Sequence, residues 1–321
     1  MKTTSTKLPF VSVVIPAYNE EDFITDTLKS LKVQNYPKNR YEVIVVNNAS
    51  SDKTAKVAQK LGAKVIFEAK KGVQYARQAG FMAAKGDYIA STDADNILPQ
   101  NWILALSSEL TQNPNVVAVG GWFELKKGSI ITKTAINKIS PSMVATYKIL
   151  SRKHILIGQN FMVRKDIFLK TKGFSDLKPM DEDLMLAQRL SEYGEIKLYK
   201  GKDWKVITSP RRWQDGFIPG TTPYVINAVS YAVSDKLLIN NFKDVRGEKN
   251  KFRLKPKLFS ATLVIGLLLT AGTFYATPAQ AKFTPIKKSV EKSINNTKKK
   301  IARIYNENIK EEINESRLLH R

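Results

Sequence analysis

Val11-Ser12-Val13-Val14-Ile15-Pro16-Ala17-Tyr18-Asn19-Glu20 decides how this chain is read. A short apolar run, Val11 to Ile15, turns at Pro16 into a polar loop, which is the pattern of a buried strand that delivers polar side chains at its carboxyl end. The flanking sequence repeats the unit. Val43 to Val46 and Val65 to Phe67 read as further strands, and Ile24 to Leu31, Thr54 to Leu61 and Val73 to Ala84 as amphipathic helices between them. Tyr88 to Ser91 and Val116 to Val119 add strands around a helix near Asn101 to Leu110. This β-α alternation predicts an α/β domain with a mostly parallel central sheet and helices on both faces.

In such sheets ligands bind beyond the carboxyl ends of the strands. Three loops fall there: Pro16 to Glu21, Asn47-Asn48-Ala49-Ser50-Ser51-Asp52, and Thr92-Asp93-Ala94-Asp95-Asn96. None contains the glycine spacing of a dinucleotide fingerprint or a P-loop, so phosphate has to be held in another way. Asp93 and Asp95, two apart on extended chain, can direct both carboxylates to one side, toward a hard cation such as Mg²⁺ or Mn²⁺ that takes oxygen ligands and bridges phosphates. The competing reading is a helix cap, with Asp95 or Asn96 closing the helix that follows Pro99.

Composition limits the alternatives. With 43% hydrophobic and 25% charged residues the 321-residue chain can bury a core. The absence of cysteine removes disulfides, thiolate metal sites and a cysteine nucleophile, and two histidines, His154 and His320, are too few for a multi-histidine metal centre. Any metal therefore sits on oxygen. The formal charge of +23 points to anionic partners. No aromatic-rich basic strand or nucleic-acid module accompanies it, so no nucleic-acid partner is expected.

Taken in order, Val11 to Glu20, Ile44-Val45-Val46-Asn47-Asn48-Ala49-Ser50-Ser51-Asp52-Lys53-Thr54 and Gly86-Asp87-Tyr88-Ile89-Ala90-Ser91-Thr92-Asp93-Ala94-Asp95 closely resemble the inverting glycosyltransferases of family 2. The likeness continues through Gly158-Gln159-Asn160-Phe161-Met162-Val163-Arg164, Gly173-Phe174, Asp181-Glu182-Asp183-Leu184 and Arg189-Leu190, covering about residues 9 to 213. It implies the Rossmann-like nucleotide-diphospho-sugar transferase fold, with a UDP-sugar or alternatively a GDP-sugar as donor and Mg²⁺ or Mn²⁺ as cofactor. It also implies that Pro16, Tyr18 and Glu20 surround the base and ribose, that Asn48 binds the base edge, and that Arg77 approaches the diphosphate or ribose. Asp93 takes the place near ribose and metal, and Asp95 that of the direct metal ligand. The family usually has two aspartates where this chain has Asn47 and Asn48, and an amide donates as well as accepts, so the donor base is left open. Asp183 corresponds to the base that deprotonates the acceptor hydroxyl, with Glu182 next in order; the plainer reading of both is an acidic first turn of a helix over Leu184 to Leu190. Arg212-Trp213, within Ser209-Pro210-Arg211-Arg212-Trp213, resembles a motif that closes over diphosphate and acceptor, a membrane-surface contact being the alternative.

The expected organisation is a catalytic domain over 1–220, with a nucleotide-binding half to about 120 and an acceptor-binding half beyond it. An interfacial helix and basic linker follow over 221–257, then a transmembrane helix over 258–281 and a basic amphipathic or partly disordered tail over 282–321. Leu258 to Ala281 has no Asp, Glu, Lys, Arg or His, and its apolar part matches the roughly 20 residues that cross a bilayer. Lys243, Arg246, Lys249, Lys251, Arg253, Lys255 and Lys257 precede it, against Lys282, Lys287, Lys288 and Lys292 after it, which predicts a single-pass protein of the cytoplasmic membrane with its N-terminal domain in the cytoplasm. The functional expectation is a membrane-associated inverting transferase that moves a hexose to a lipid-linked or cell-envelope glycan. The alternative is a non-catalytic scaffold of the same fold on an anionic membrane or polymer.

Overall fold

In the computed structural model the described residues are 8–141, 144, 154–175, 177, 182–199, 201–214, 216, 217, 220–224 and 227. The expected transmembrane helix and tail, nearly all of the segment 221–257, and Asp181 lie outside them. Among the described residues no helix is long and apolar enough to cross a membrane.

The strands are β1 (Val11–Ala17), β2 (Tyr41–Asn47), β3 (Lys64–Phe67), β4 (Tyr88–Thr92), β5 (Asn96–Ile97), β6 (Val116–Gly121), β7 (Phe123–Leu125), β8 (Asn160–Arg164), β9 (Glu195–Tyr199) and β10 (Val206–Thr208). The α-helices are α1 (Ile24–Lys32), α2 (Thr54–Lys60), α3 (Val73–Ala83), α4 (Trp102–Gln112), α5 (Ile130–Thr134), α6 (Lys165–Lys170) and α7 (Glu182–Ser191). Seven strands form one sheet in the order β3-β2-β1-β4-β8-β6-β9, and β5-β10-β7 form a small second one. The larger sheet runs through residue 120 without a break, so the two expected halves share it.

Alternation along β1 explains the layering. Val11, Val13 and Ile15 pack with Ile24, Leu28 and Leu31 of α1 and Trp102, Ile103 and Leu106 of α4, while Val14 joins Ile44, Val46, Ala76 and Phe81 on the other face. Helices therefore cover both faces, as the sequence predicts. Pro16 is tolerated because β4 pairs with β1 only through Val14, so no second ladder asks for an N–H at position 16. On the second face Phe81 is fully buried with its ring 4.8 Å from Phe168 and 5.1 Å from Phe174. Phe81→Ala should cost about 3–5 kcal/mol in urea unfolding, a loss of burial plus a cavity that three aromatic neighbours cannot fill.

Within the larger, mostly parallel sheet one strand runs the other way. β8 runs antiparallel to both β4 and β6, with Thr92 opposite Asn160. Its start consequently lies beside the end of β4, and the loop before it, 158–159, reaches the edge where Asp93 and Asp95 emerge. Asn160, fully buried, locks this junction: its amide donates to the carbonyls of Trp122 and Trp204 and accepts from Trp102 Nε1 at 2.8 Å.

Candidate active site

The loops after β1 and β2 are stitched together before any ligand is considered. Glu20 N–H donates to Thr54 Oγ1 at 2.7 Å, Lys53 N–H to Glu21 Oε2 at 3.0 Å and Ser51 N–H to Asn19 Oδ1 at 2.9 Å. Asn19 and Ala49 take left-handed backbone conformations, with φ of 51° and 56°, to make the turn. Tyr18, half-buried on this rim, receives a hydrogen bond on its hydroxyl from Lys71 Nζ.

Asn48, expected at the base edge, has its side chain engaged by backbone. Its Nδ2 donates to the carbonyls of Glu68 and Lys70, and its Oδ1 accepts from Gly72 N–H at 2.8 Å. Both amide hydrogens are spent on backbone and the residue is buried, so in this arrangement it clips the 68–72 segment to β2 and leaves no donor for a base edge. Gly72, with φ of 141°, occupies a conformation open to glycine at the start of α3, and α3 in turn aims Arg77 inward.

Arg77 sits between carboxylates from distant parts of the chain. Nη2 donates to Asp93 Oδ1 at 3.0 Å, Nη1 bonds Glu182 Oε1, and the side chain is 3% exposed. Asp183 lies across Gly158, whose N–H donates to Asp183 Oδ2 at 2.7 Å, and a Cβ at Gly158 would sit 2.9 Å from both terminal nitrogens of Arg77 and 3.0 Å from Asp183 Oδ2. Arg77, expected to approach the diphosphate or ribose, is a buried clamp that holds Asp93 and Glu182 together. Gly158→Ala should lower turnover roughly 10–100-fold, because displacing pinned reactive groups by a fraction of an ångström is costly to orientation. Circular dichroism should show the fold retained; unchanged kinetics would mean that the clamp is slack.

Arg211, next to the expected Arg212, brings a second guanidinium to the site. From the short helical turn Pro210–Trp213, its Nη2 donates to Asp95 Oδ2 at 2.8 Å and to Glu20 Oε2 at 2.9 Å, and its guanidinium lies 4.1 Å from the Phe23 ring centre. Trp213 stacks on Phe123, with ring centres 5.9 Å apart, and so anchors the turn to β7. Glu20, expected beside the base and ribose, is buried and paired with Arg211. The sequence held no signal for the partners of Arg211, which come from the loops after β1 and β4.

The electrostatics follow from burial. Burial pushes the Glu182 carboxyl up to about 7 despite Arg77, with Asp183 adding repulsion. Asp183 is raised by burial and held back by Arg77 and by the N–H groups of Gly158 and Leu184. Asp95 is raised by burial, opposed by Arg211, and raised further by Asp93 and Glu20. Five carboxylates thus face two guanidiniums. Among the described residues no three His, Cys, Asp or Glu side chains are grouped to hold a metal alone. Asp93, 39% exposed, and the neighbouring Asp95 fit a hard divalent ion that draws its other ligands from phosphate and water, and the excess negative charge favours one.

The family model described as glycosyl transferase family 2 matches residues 12–171. The probable glycosyltransferase YdaM of Bacillus subtilis is 32% identical over 237 residues, which span 65% of this chain and 56% of that protein. A Methanococcus voltae protein, the dolichyl N-acetyl-alpha-D-glucosaminyl phosphate 3-beta-D-2,3-diacetamido-2,3-dideoxy-beta-D-glucuronosyltransferase, is 28% identical over 72% of this chain and 74% of its own length. Among solved structures the mannosyltransferase PcManGT of Pyrobaculum calidifontis, in complex with GDP-Man and Mn²⁺, superposes with a TM-score of 0.55 at 18% identity, covering 90% of this chain and 81% of that one. Staphylococcus aureus TarS gives 0.51 at 17%, covering 88% and 77%. The structural likeness establishes an α/β nucleotide-sugar transferase fold with a mostly parallel sheet.

Proposed function

Residues 12–171 are a glycosyl transferase family 2 domain, and on that premise we propose that the protein is a membrane-associated, inverting hexosyltransferase that uses a nucleotide-diphosphate sugar. One observation carries the reading: Arg77 ties Asp93, at the end of β4, to Glu182, at the start of α7, with Asp183 one glycine away. Donor-side and acceptor-side carboxylates thereby meet at one point.

The proposed chemistry is a single displacement. The acceptor hydroxyl gives its proton to the Asp183 carboxylate as its oxygen bonds the anomeric carbon, while the bond from that carbon to the diphosphate oxygen breaks and leaves its electron pair on that oxygen. Attack opposite the leaving group inverts the anomeric centre. The N–H groups of Gly158 and Leu184 hold the two Asp183 oxygens in place, and Arg77 fixes Glu182 beside them. A divalent ion held by Asp95 and Asp93 would neutralise the charge that gathers on the departing nucleoside diphosphate. Arg211 orients Asp95.

A UDP-sugar is the proposed donor, with a GDP-sugar the alternative that the GDP-Man bound by the mannosyltransferase supports. The dolichyl phosphate in the name of the Methanococcus relative supports a lipid-linked acceptor, and the uncharged segment 258–281 supports a single-pass anchor with the catalytic domain on the cytoplasmic side. Full-length protein in lipid vesicles, supplied with Mn²⁺, a panel of nucleotide sugars and lipid extract, should release nucleoside diphosphate from one donor in an acceptor-dependent way. No release from any donor would leave a scaffold as the surviving reading.

A further inference from the structure

We propose that residues 126–131 form a tip that docks on an anionic bilayer surface beside the active site. Lys126-Lys127-Gly128-Ser129-Ile130-Ile131 are all exposed, and Ile130 and Ile131 are each 78% exposed. The core does not need them. Ser129 caps the following helix by accepting from Thr132 N–H, and the inward positions are filled by Thr132, Ala135 and Ile136, all buried, so the two isoleucines project from the opposite side. Adjacent exposed isoleucines preceded by two lysines combine the two signals of reversible membrane contact, apolar insertion and attraction to anionic headgroups, neither of which suffices alone. The charge excess of the chain favours a lipid surface over an apolar protein partner. The tip also backs onto the site: a Cβ at Gly128 would lie 3.6 Å from that of Pro210, the residue before Arg211, and β7, which leads into the tip, pairs with β10, which leads into Pro210. Docking here would bring a lipid-linked acceptor to the carboxylates without leaving the membrane plane, a consequence that rests on the proposed transfer; the docking itself does not.

The absence of cysteine allows a direct test. Full-length Ile131→Cys, labelled with an environment-sensitive dye, is reconstituted in phosphatidylcholine vesicles with or without phosphatidylglycerol. Val33→Cys, at a 55%-exposed position after α1, is the control. With anionic lipid the label at 131 should brighten several-fold, shift to the blue and be quenched by brominated lipid, while the control stays water-like. Adding Lys126→Glu and Lys127→Glu should remove at least half of the gain. Water-like emission at both positions in anionic vesicles overturns the proposal. So does an equal shift in neutral vesicles that brominated lipid does not quench, which would mark a second copy as the occupant. No outcome depends on donor turnover.

Discussion

Asp183→Asn is expected to lower kcat by about 10²–10⁴-fold, the range a positioned general base supplies, with little change in donor KM. Asparagine keeps the shape and can still accept one N–H, but it cannot take a proton. It also ends the cost of burying a charge, so the melting temperature should hold, which separates lost chemistry from lost structure. Asp183→Glu keeps the charge but moves the oxygens by about one carbon–carbon bond, roughly 1.5 Å, and should recover only a minor part of the rate. In the parent, activity requires ionised Asp183, so kcat/KM rises with pH. Burial raises that group, and Glu182, pushed up to about 7, ionises beside it, so the rise should come above the ordinary carboxylate range and belong to the pair. Glu182→Gln leaves Arg77 free to favour ionised Asp183 and should move the rise to lower pH while activity persists. The reverse pattern, Glu182→Gln dead and Asp183→Asn active, would make Glu182 the base.

What the sequence discloses here depends on how local the cause is. The runs at Val11, Val43 and Tyr88 and the helices between them could be read because burial on a sheet imposes its period on neighbouring residues. Asp93 and Asp95 could be picked out because they follow the apolar run of β4; the turn at Ala94 and Asp95 could not, and it sends the two carboxylates to different arginines, Arg77 and Arg211. The direction of β8 could not. A strand that runs Asn160 to Arg164 looks the same reversed, and its partner β4 is about 70 residues earlier. Gly158 enters the site only through that reversal. The contacts of Asn48 and Arg211 could not be read for a related reason. Their partners, the carbonyls of Glu68 and Lys70 and the carboxylates of Glu20 and Asp95, come from loops whose spacing says nothing about contact.

Arg211 bears on the second large effect, that of Asp95→Asn. The carboxylate is 13% exposed on its side chain and borders Asp93, and its ionised form is disfavoured by burial and sustained by Arg211. Neutralising it removes the charge that would grip a divalent ion but leaves Arg211 its bond to Glu20 at 2.9 Å, so the turn at Pro210 should keep its place. Because the folded state raises the Asp95 pKa, ionised Asp95 lowers stability as pH rises through and above the usual carboxylate range. Asparagine removes that dependence, and the melting temperature at neutral pH should be unchanged or slightly higher. Turnover should fall by roughly 10²–10⁴-fold, the several kcal/mol that charge neutralisation at the leaving group is worth. The Mn²⁺ concentration for half-maximal rate should rise at least about tenfold, the factor that corresponds to 1.36 kcal/mol. Chelation should abolish the parent's activity, and the residual rate of the variant should return only at the higher Mn²⁺ concentration. If the variant keeps both the parent's rate and its Mn²⁺ dependence, Asp95 serves only to anchor Arg211, and the charge on the leaving group must be met by guanidinium groups.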